Sequence, residues 1–265
     1  MTNITNSITN KTTKPKFSIM IQSEGYQRLI KDTLGDKKRV ARFIASISSA
    51  VSVNPALQNC DAGSVLTSAL VGESLSLSPS PALGQFYIIP YGGVAQFQIG
   101  WKGYQQLALR TNQYKKLIVT SVKEGELRSY NPFTEEFELV PILNINDREK
   151  AKTVGYYAKL ELISGFTKDM YWSKEKMIAH ATRFSKAFTS KMTSSPWNNE
   201  EGFEQMAYKT MLRQLISKHG IMSDEMQEAY IYDMGVIKED KSVEYIDNDN
   251  SDLKDDKDEV QLKED

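Results

Sequence analysis

Tyr87–Leu117 reads YIIPYGGVAQFQIGWKGYQQLALRTNQYKKL, and its periodicity changes twice. The apolar run Tyr87-Ile88-Ile89-Pro90-Tyr91 stops at Gly92-Gly93 and resumes as the alternating run Val94-Ala95-Gln96-Phe97-Gln98-Ile99. Two β-type runs split by a glycine pair predict a hairpin, because glycine accepts the positive φ angles of a tight turn. After Gly100 the period becomes helical. Tyr104, Leu107 and Ala108 share one face, and Lys102, Gln106 and Arg110 lie four apart on another. Taken alone, that second face is ordinarily a solvated one, although its amide and cations can also hold a phosphate backbone.

Reading outward towards the N-terminus, Phe17–Thr33 predicts a first helix, with apolar residues at Ile21, Leu29 and Ile30. Gly35 breaks it, and Asp36 is placed to cap a second helix over Lys37–Val53, where Val40, Phe43, Ile44 and Ile47 repeat at i, i+3, i+4 and i+7. Lys37, Lys38, Arg39 and Arg42 crowd the first turns of that helix, where cations oppose the macrodipole. Asp61 is placed to cap a third helix, Ala62–Leu75, and the proline-bearing Ser76–Leu83 is a loop.

Beyond Leu117 come a β-run over Leu117–Val122, a turn at Asn131-Pro132, and Phe133–Leu143, ambiguous in type. Asn144–Lys152 reads as a loop. Val154–Ile163 alternates, with Tyr156, Ala158, Leu160 and Leu162 on one side, and Ser164-Gly165 turns it into Phe166–Trp172. Ser173 then caps a helix expected to run to Phe188, with Met177, Ala181, Phe184 and Phe188 inward. After the Ser/Thr-rich loop 189–196 a strong helix covers Glu200–Lys218, acidic at its start and basic at its end, and a weaker one covers Asp224–Tyr232. The fold class is therefore α+β: antiparallel β-hairpins packed by helices.

The 265 residues carry a formal charge of -1, which conceals an asymmetry. Residues 238–265 hold 5 Lys against 12 Asp and Glu, a net of -7, so residues 1–237 net +6. Three regions follow. Residues 1–16 are a Thr/Asn/Lys-rich arm expected to be disordered, 17–237 a mildly basic body, and 238–265 an acidic tail expected to be disordered. The arm lacks the apolar stretch of a secretory signal, and no run of about 18 apolar residues spans a membrane. One cysteine, Cys60, fits a reducing cytosol.

Several chemistries lack their residues. No GxxxxGK[ST] loop cradles a nucleotide phosphate. Two histidines, His180 and His219, have no cysteine partner for zinc. No nucleophile signature surrounds Cys60 or the serines, and Glu124, Glu126 and Glu161 offer only a spacing for a metal. We expect no cofactor and no catalysis. Three basic ridges remain: Lys102 with Arg110, Arg183 with Lys186, and Lys209 with Arg213, interleaved with Trp101, Tyr104, Phe184 and Tyr208. Cations beside aromatics are the combination that holds single-stranded nucleic acid. A solvated face is the ordinary use of each ridge, and Phe184 is expected inside.

The stretch PYGGVAQFQIGWKGYQQLALRTNQYK resembles the central motif of the RecT family of phage single-strand annealing proteins. VGYYAKLEL, MYWSKEKMIAHATRFSKAF and SPWNNEEGFEQMAYKTMLRQLISK resemble the second half of that family, in the same order, so the resemblance covers about 41–221. It implies a β-β-β-α annealing core, with the N-terminal helices making subunit contacts in a ring or helical filament. It also implies binding of single-stranded DNA, ATP-independent annealing of complementary strands in homologous recombination, and a partner exonuclease in the bacterial cytoplasm. For the acidic tail three roles stay open: docking of that exonuclease or of a host single-strand-binding protein, mimicry of DNA that restrains binding, and plain solubilisation. Carried onto this chain, it places Gln96, Gln98, Lys102, Gln106 and Arg110 near the DNA. Arg183, Lys186, Lys191, Lys209 and Arg213 then form the other wall. The competing expectation is an oligomeric structural protein whose basic faces are subunit contacts.

Overall fold

Alternation and two glycines build the hairpin as expected. In the computed structural model, which describes residues 16–193, 195–238 and 242–244, β1 (Phe86–Tyr91) pairs antiparallel with β2 (Val94–Ile99). Gly92 and Gly93 both have positive φ, 54° and 86°, the requirement of a two-residue turn that matches strand twist. Ala95, Phe97 and Ile99 are buried on one face of β2, so strict alternation sends Gln96 and Gln98 to the other. The expected arm (save Lys16) and most of the acidic tail lie outside the described residues.

Four helices precede the hairpin. The expected first helix is two, α1 (Phe17–Met20) and α2 (Glu24–Leu34). Helix α3 (Lys37–Val53) is capped by Asp36, whose side chain accepts from the Arg39 N–H at 2.8 Å. Helix α4 (Ala62–Ser74) is capped in the same way by Asp61, accepting from the Ser64 N–H. The Asp61 N–H donates to the Gly93 carbonyl and the Ala95 N–H to the Ser64 hydroxyl, which fixes the hairpin tip against α4. Gly72 lies where a Cβ would fall 2.1 Å from the Phe86 ring, so this contact needs glycine. Helix α5 (Trp101–Arg110) follows β2 directly.

The second half is a three-stranded antiparallel sheet in the order β3 (Tyr114–Lys123), β6 (Thr153–Leu162), β7 (Thr167–Ser173). Between β3 and β6 sits a separate hairpin of β4 (Leu127–Asn131) and β5 (Glu136–Leu139), resolving the ambiguity of 133–143. Phe137 of that hairpin packs edge-on against Tyr157. Residues 145–150, expected as loop, form the short helix α6 (Ile145–Lys150), because Asn144 caps it and Arg148 anchors it to Glu126 at 2.7 Å. Burial pushes the Glu126 carboxyl up, but Arg148 and the backbone N–H groups of Lys123 and Ile142 outweigh it, holding it below its ordinary pKa.

Helix α7 (Lys174–Phe184), capped by Ser173, ends four residues earlier than expected. Ser185 is extended there, and its hydroxyl accepts from the Phe188 N–H to start α8 (Lys186–Thr189). Phe184, expected inside, is consequently 56% exposed. The long α9 (Glu200–His219) lies against β6 and α5, burying Ala207, Met211, Leu212, Leu215 and Ile216. Helix α10 (Asp224–Tyr232) leads to β8 (Val236–Ile237), and the backbone at 234–235 bridges to Phe97 on β2. β8 pairs with β9 (Val243–Glu244), where no structure was expected beyond Lys238.

Candidate nucleic-acid interface

Two adjoining cavities form one groove. The first, about 660 Å³, lies under the polar face of the hairpin and is lined by Pro90, Tyr91, Gln96, Gln98, Met192 and Trp197. The second, about 620 Å³, is lined by Trp172, His180, Phe184, Lys209, Arg213 and Tyr230. Ser185, Trp197, Met206 and Met234 belong to both, so the walls are continuous. Register explains the amides: Gln96 pairs with Ile89 and Gln98 with Tyr87, and all four residues project to the same side of the hairpin.

The floor of the second cavity is a buried charge cluster that the sequence does not announce. The side chain of Asp233 has no solvent exposure. Its Oδ1 accepts from the Ile99 N–H at 3.0 Å and from Lys209 Nζ at 2.8 Å. Its Oδ2 accepts from the Tyr104 hydroxyl at 2.9 Å and from Arg213 Nη1 at 2.6 Å. One carboxylate thus ties the end of β2, α5 and α9 to the end of α10. Burial pushes the Lys209 ammonium below its ordinary pKa, against the pull of Asp233. Burial also acts on Arg213, but Tyr104 and Asp233 outweigh it and hold that guanidinium higher still. The Tyr104 phenol is pushed well up by burial and then by Asp233.

The ten expected contact residues therefore fall into different environments. Gln96, Gln98, Lys209 and Arg213 are brought together along the groove. Lys209 reaches it only as a buried side chain, 6% exposed and engaged with Asp233, whereas Arg213 keeps 37% of its side chain at the surface, stacked on Tyr230 at 4.8 Å. Arg183 is exposed over the Phe184 ring at 5.2 Å, beside the second cavity. Lys186 is exposed on α8. Lys191 lines a separate cavity of about 780 Å³ with Thr182, Phe188, Thr189 and Asn198. The helix α5 ridge stands apart from these. Arg110 donates to the carbonyls of Leu75 and Ser76 at 2.7 and 2.6 Å, closing the end of α4, and Gln106 is half-buried. Lys102 is exposed with its ammonium 5.7 Å from the Trp101 ring centre.

Aromatic side chains make up more of the groove than the sequence announced. Trp172, His180 and Phe184 stand in a row, with ring centres 5.5 and 4.6 Å apart. His180 is half-buried in the middle of that row. Burial, then Arg183 and Arg213, lower its pKa. Two of the three acids considered for a metal are otherwise engaged: Glu126 bonds Arg148, and Glu161 pairs with Lys115. Among the described residues no three His, Cys, Asp or Glu side chains converge as metal ligands, and no helix is long and apolar enough to cross a membrane.

The chain is 40% identical over 252 residues to the uncharacterized protein YqaK of Bacillus subtilis, covering 91% of this chain and 82% of that protein. It is 31% identical over 202 residues to Protein RecT of Escherichia coli, covering 72% of this chain and 70% of that one. The sequence profile of the RecT family matches residues 41–249. The chain belongs to the RecT family, whose general role is single-strand annealing in DNA recombination.

Proposed function

We propose that this protein holds single-stranded DNA along the groove between the hairpin and α7–α9 and anneals it to a complementary strand without nucleotide hydrolysis. The observation that carries the reading is the continuity of the two cavities, which gives one wall of amides and aromatics flanked by exposed cations. Gln96, Gln98 and the ring row meet bases, while Arg183, Lys186, Lys191 and the open edge of Arg213 meet phosphates. Such contacts are sequence-tolerant and salt-sensitive. Lys102 and Gln106 on α5, outside the lining of the two cavities, offer a separate contact to the strand. Lys209 and Arg110 act from behind, the first holding Arg213 and β2 through Asp233, the second holding α4.

Annealing needs backbones neutralised and base edges left free, over a length no single subunit covers. An oligomeric ring or filament meets that need. Ile19, Leu29 and Val53 on α1–α3 are large exposed apolar side chains, which supports subunit contacts through these helices. We place the protein in the bacterial cytoplasm beside an exonuclease that exposes single strands, with the acidic tail as a docking segment for that enzyme or for a host single-strand-binding protein.

Two complementary dye-labelled oligonucleotides, the first preloaded with protein, test the reading by energy transfer without nucleotide. The expected result is faster pairing and a larger complex once the second strand arrives. Binding without acceleration reduces the protein to a single-strand binder. Assembly indifferent to DNA turns the basic faces into structural contacts.

A further inference from the structure

The cavity under the hairpin is mostly apolar, and just behind its lining sits one polar atom with no partner among the described residues. Gln96 is 5% exposed, and its Nε2 makes no hydrogen bond among the described residues and meets no solvent. A buried amide left without an acceptor is destabilising. Slipping β2 by one residue would remove it, but would also expose Ala95, Phe97 and Ile99, so the register holds Gln96 where it is. A methionine would fill the same space without the penalty. A ligand that brings an acceptor makes glutamine the better residue at this position.

The lining tells what kind of ligand. Pro90, Met192, Met206 and Trp197 are flat or deformable apolar groups that suit the face of a nucleobase. An annealing protein, on the reading above, must hold any sequence and leave the Watson–Crick edge open. The donor and acceptor patterns of the four bases differ on the major-groove side, but purine N3 and pyrimidine O2 are acceptors at equivalent places on the minor-groove edge. We propose that Gln96 donates from Nε2 to this shared minor-groove acceptor, so that a seated base is held from its minor-groove side; cytosine O2, which also accepts from guanine in pairing, keeps a second lone pair for this contact. The terminal torsion of glutamine is soft, so small rotation presents Nε2 to a base entering the cavity.

The test compares fluorescence anisotropy of a deoxyadenosine oligonucleotide with its 3-deazaadenine counterpart, which replaces N3 by C–H and keeps the Watson–Crick edge. The parent protein is expected to bind the 3-deaza strand roughly threefold to tenfold more weakly. Gln96→Met is expected to bind both strands alike and to be at least as thermally stable as the parent. An equal loss in parent and variant overturns the proposal. So does a marked loss of stability in Gln96→Met, which would reveal a structural partner for the amide. Should that variant not fold, indifference of the parent to the 3-deaza substitution overturns the proposal alone. A parent that responds instead to removal of the guanine 2-amino group uses Gln96 as an acceptor, and the assignment falls. Failure of the parent to bind the unmodified strand is a different result: it rejects the single-strand reading and the proposal with it.

Discussion

Asp233→Asn removes one charge from the middle of the fold without changing its shape. Each carboxylate oxygen accepts two donors: Ile99 N–H and Lys209 on one, Tyr104 and Arg213 on the other. Whichever oxygen becomes an amide nitrogen therefore faces two donors, and the Lys209 ammonium, 6% exposed, loses its counter-charge. Breaking a buried pair from one side costs about 3–5 kcal/mol, a large part of a total stability of about 5–15 kcal/mol. Arg213 retains access to solvent, so most of the penalty falls on Lys209. In urea the midpoint should drop by at least about 1 M at unchanged slope. Lys209→Met removes the stranded ammonium, so in that background the penalty of Asp233→Asn should shrink by about 1–3 kcal/mol. A single variant within about 1 kcal/mol of the parent, or a penalty unaltered by Lys209→Met, would refute the account of this cluster. Lys209→Ala is for the same reason a stability variant, and a loss of DNA binding in it says little about the groove.

Arg183→Gln with Lys191→Gln should leave urea stability unchanged and weaken oligonucleotide binding evenly across sequences. The slope of log affinity against log salt should become shallower by about 0.7 for each phosphate no longer neutralised, and an unchanged slope would remove these residues from the interface. Gly72→Ala places a methyl against the fully buried Phe86 ring and should cost about 1–3 kcal/mol by overpacking, read by thermal unfolding. His180, with its folded pKa below the ordinary value, binds a proton more readily in the unfolded chain. Its stabilising contribution is therefore complete above the unfolded pKa of about 6.5 and is lost as pH falls from there towards the folded value. His180→Phe should flatten the stability profile over that window, and a profile identical to the parent's would show that another group sets it.

The features legible in the sequence were those decided within a few residues. Gly92-Gly93 set the turn because only positive φ closes it, Asp36, Asp61 and Ser173 set helix starts because their side chains reach N–H groups three residues on, and alternation set which face of β2 and β6 is buried. The motif order from Pro90 to Lys218 sufficed to indicate the family. Side-chain roles that depend on a distant partner were not legible. Lys209 looks like a surface cation on an amphipathic helix until α9 is wedged against α5 and β6, where its partner arrives 24 residues later on a segment bridged to β2. Arg110 looks free until the carbonyls at the end of α4 turn towards it. Phe184 reads as core by period, yet Ser185 ends the helix and leaves its ring outward beside His180. The sequence alone determined the central hairpin, the main helix starts and the family, because capping, turn geometry and periodicity are local. Tertiary structure alone decided which cations face outward and which hold the fold, because burial and pairing of charge depend on neighbours far along the chain.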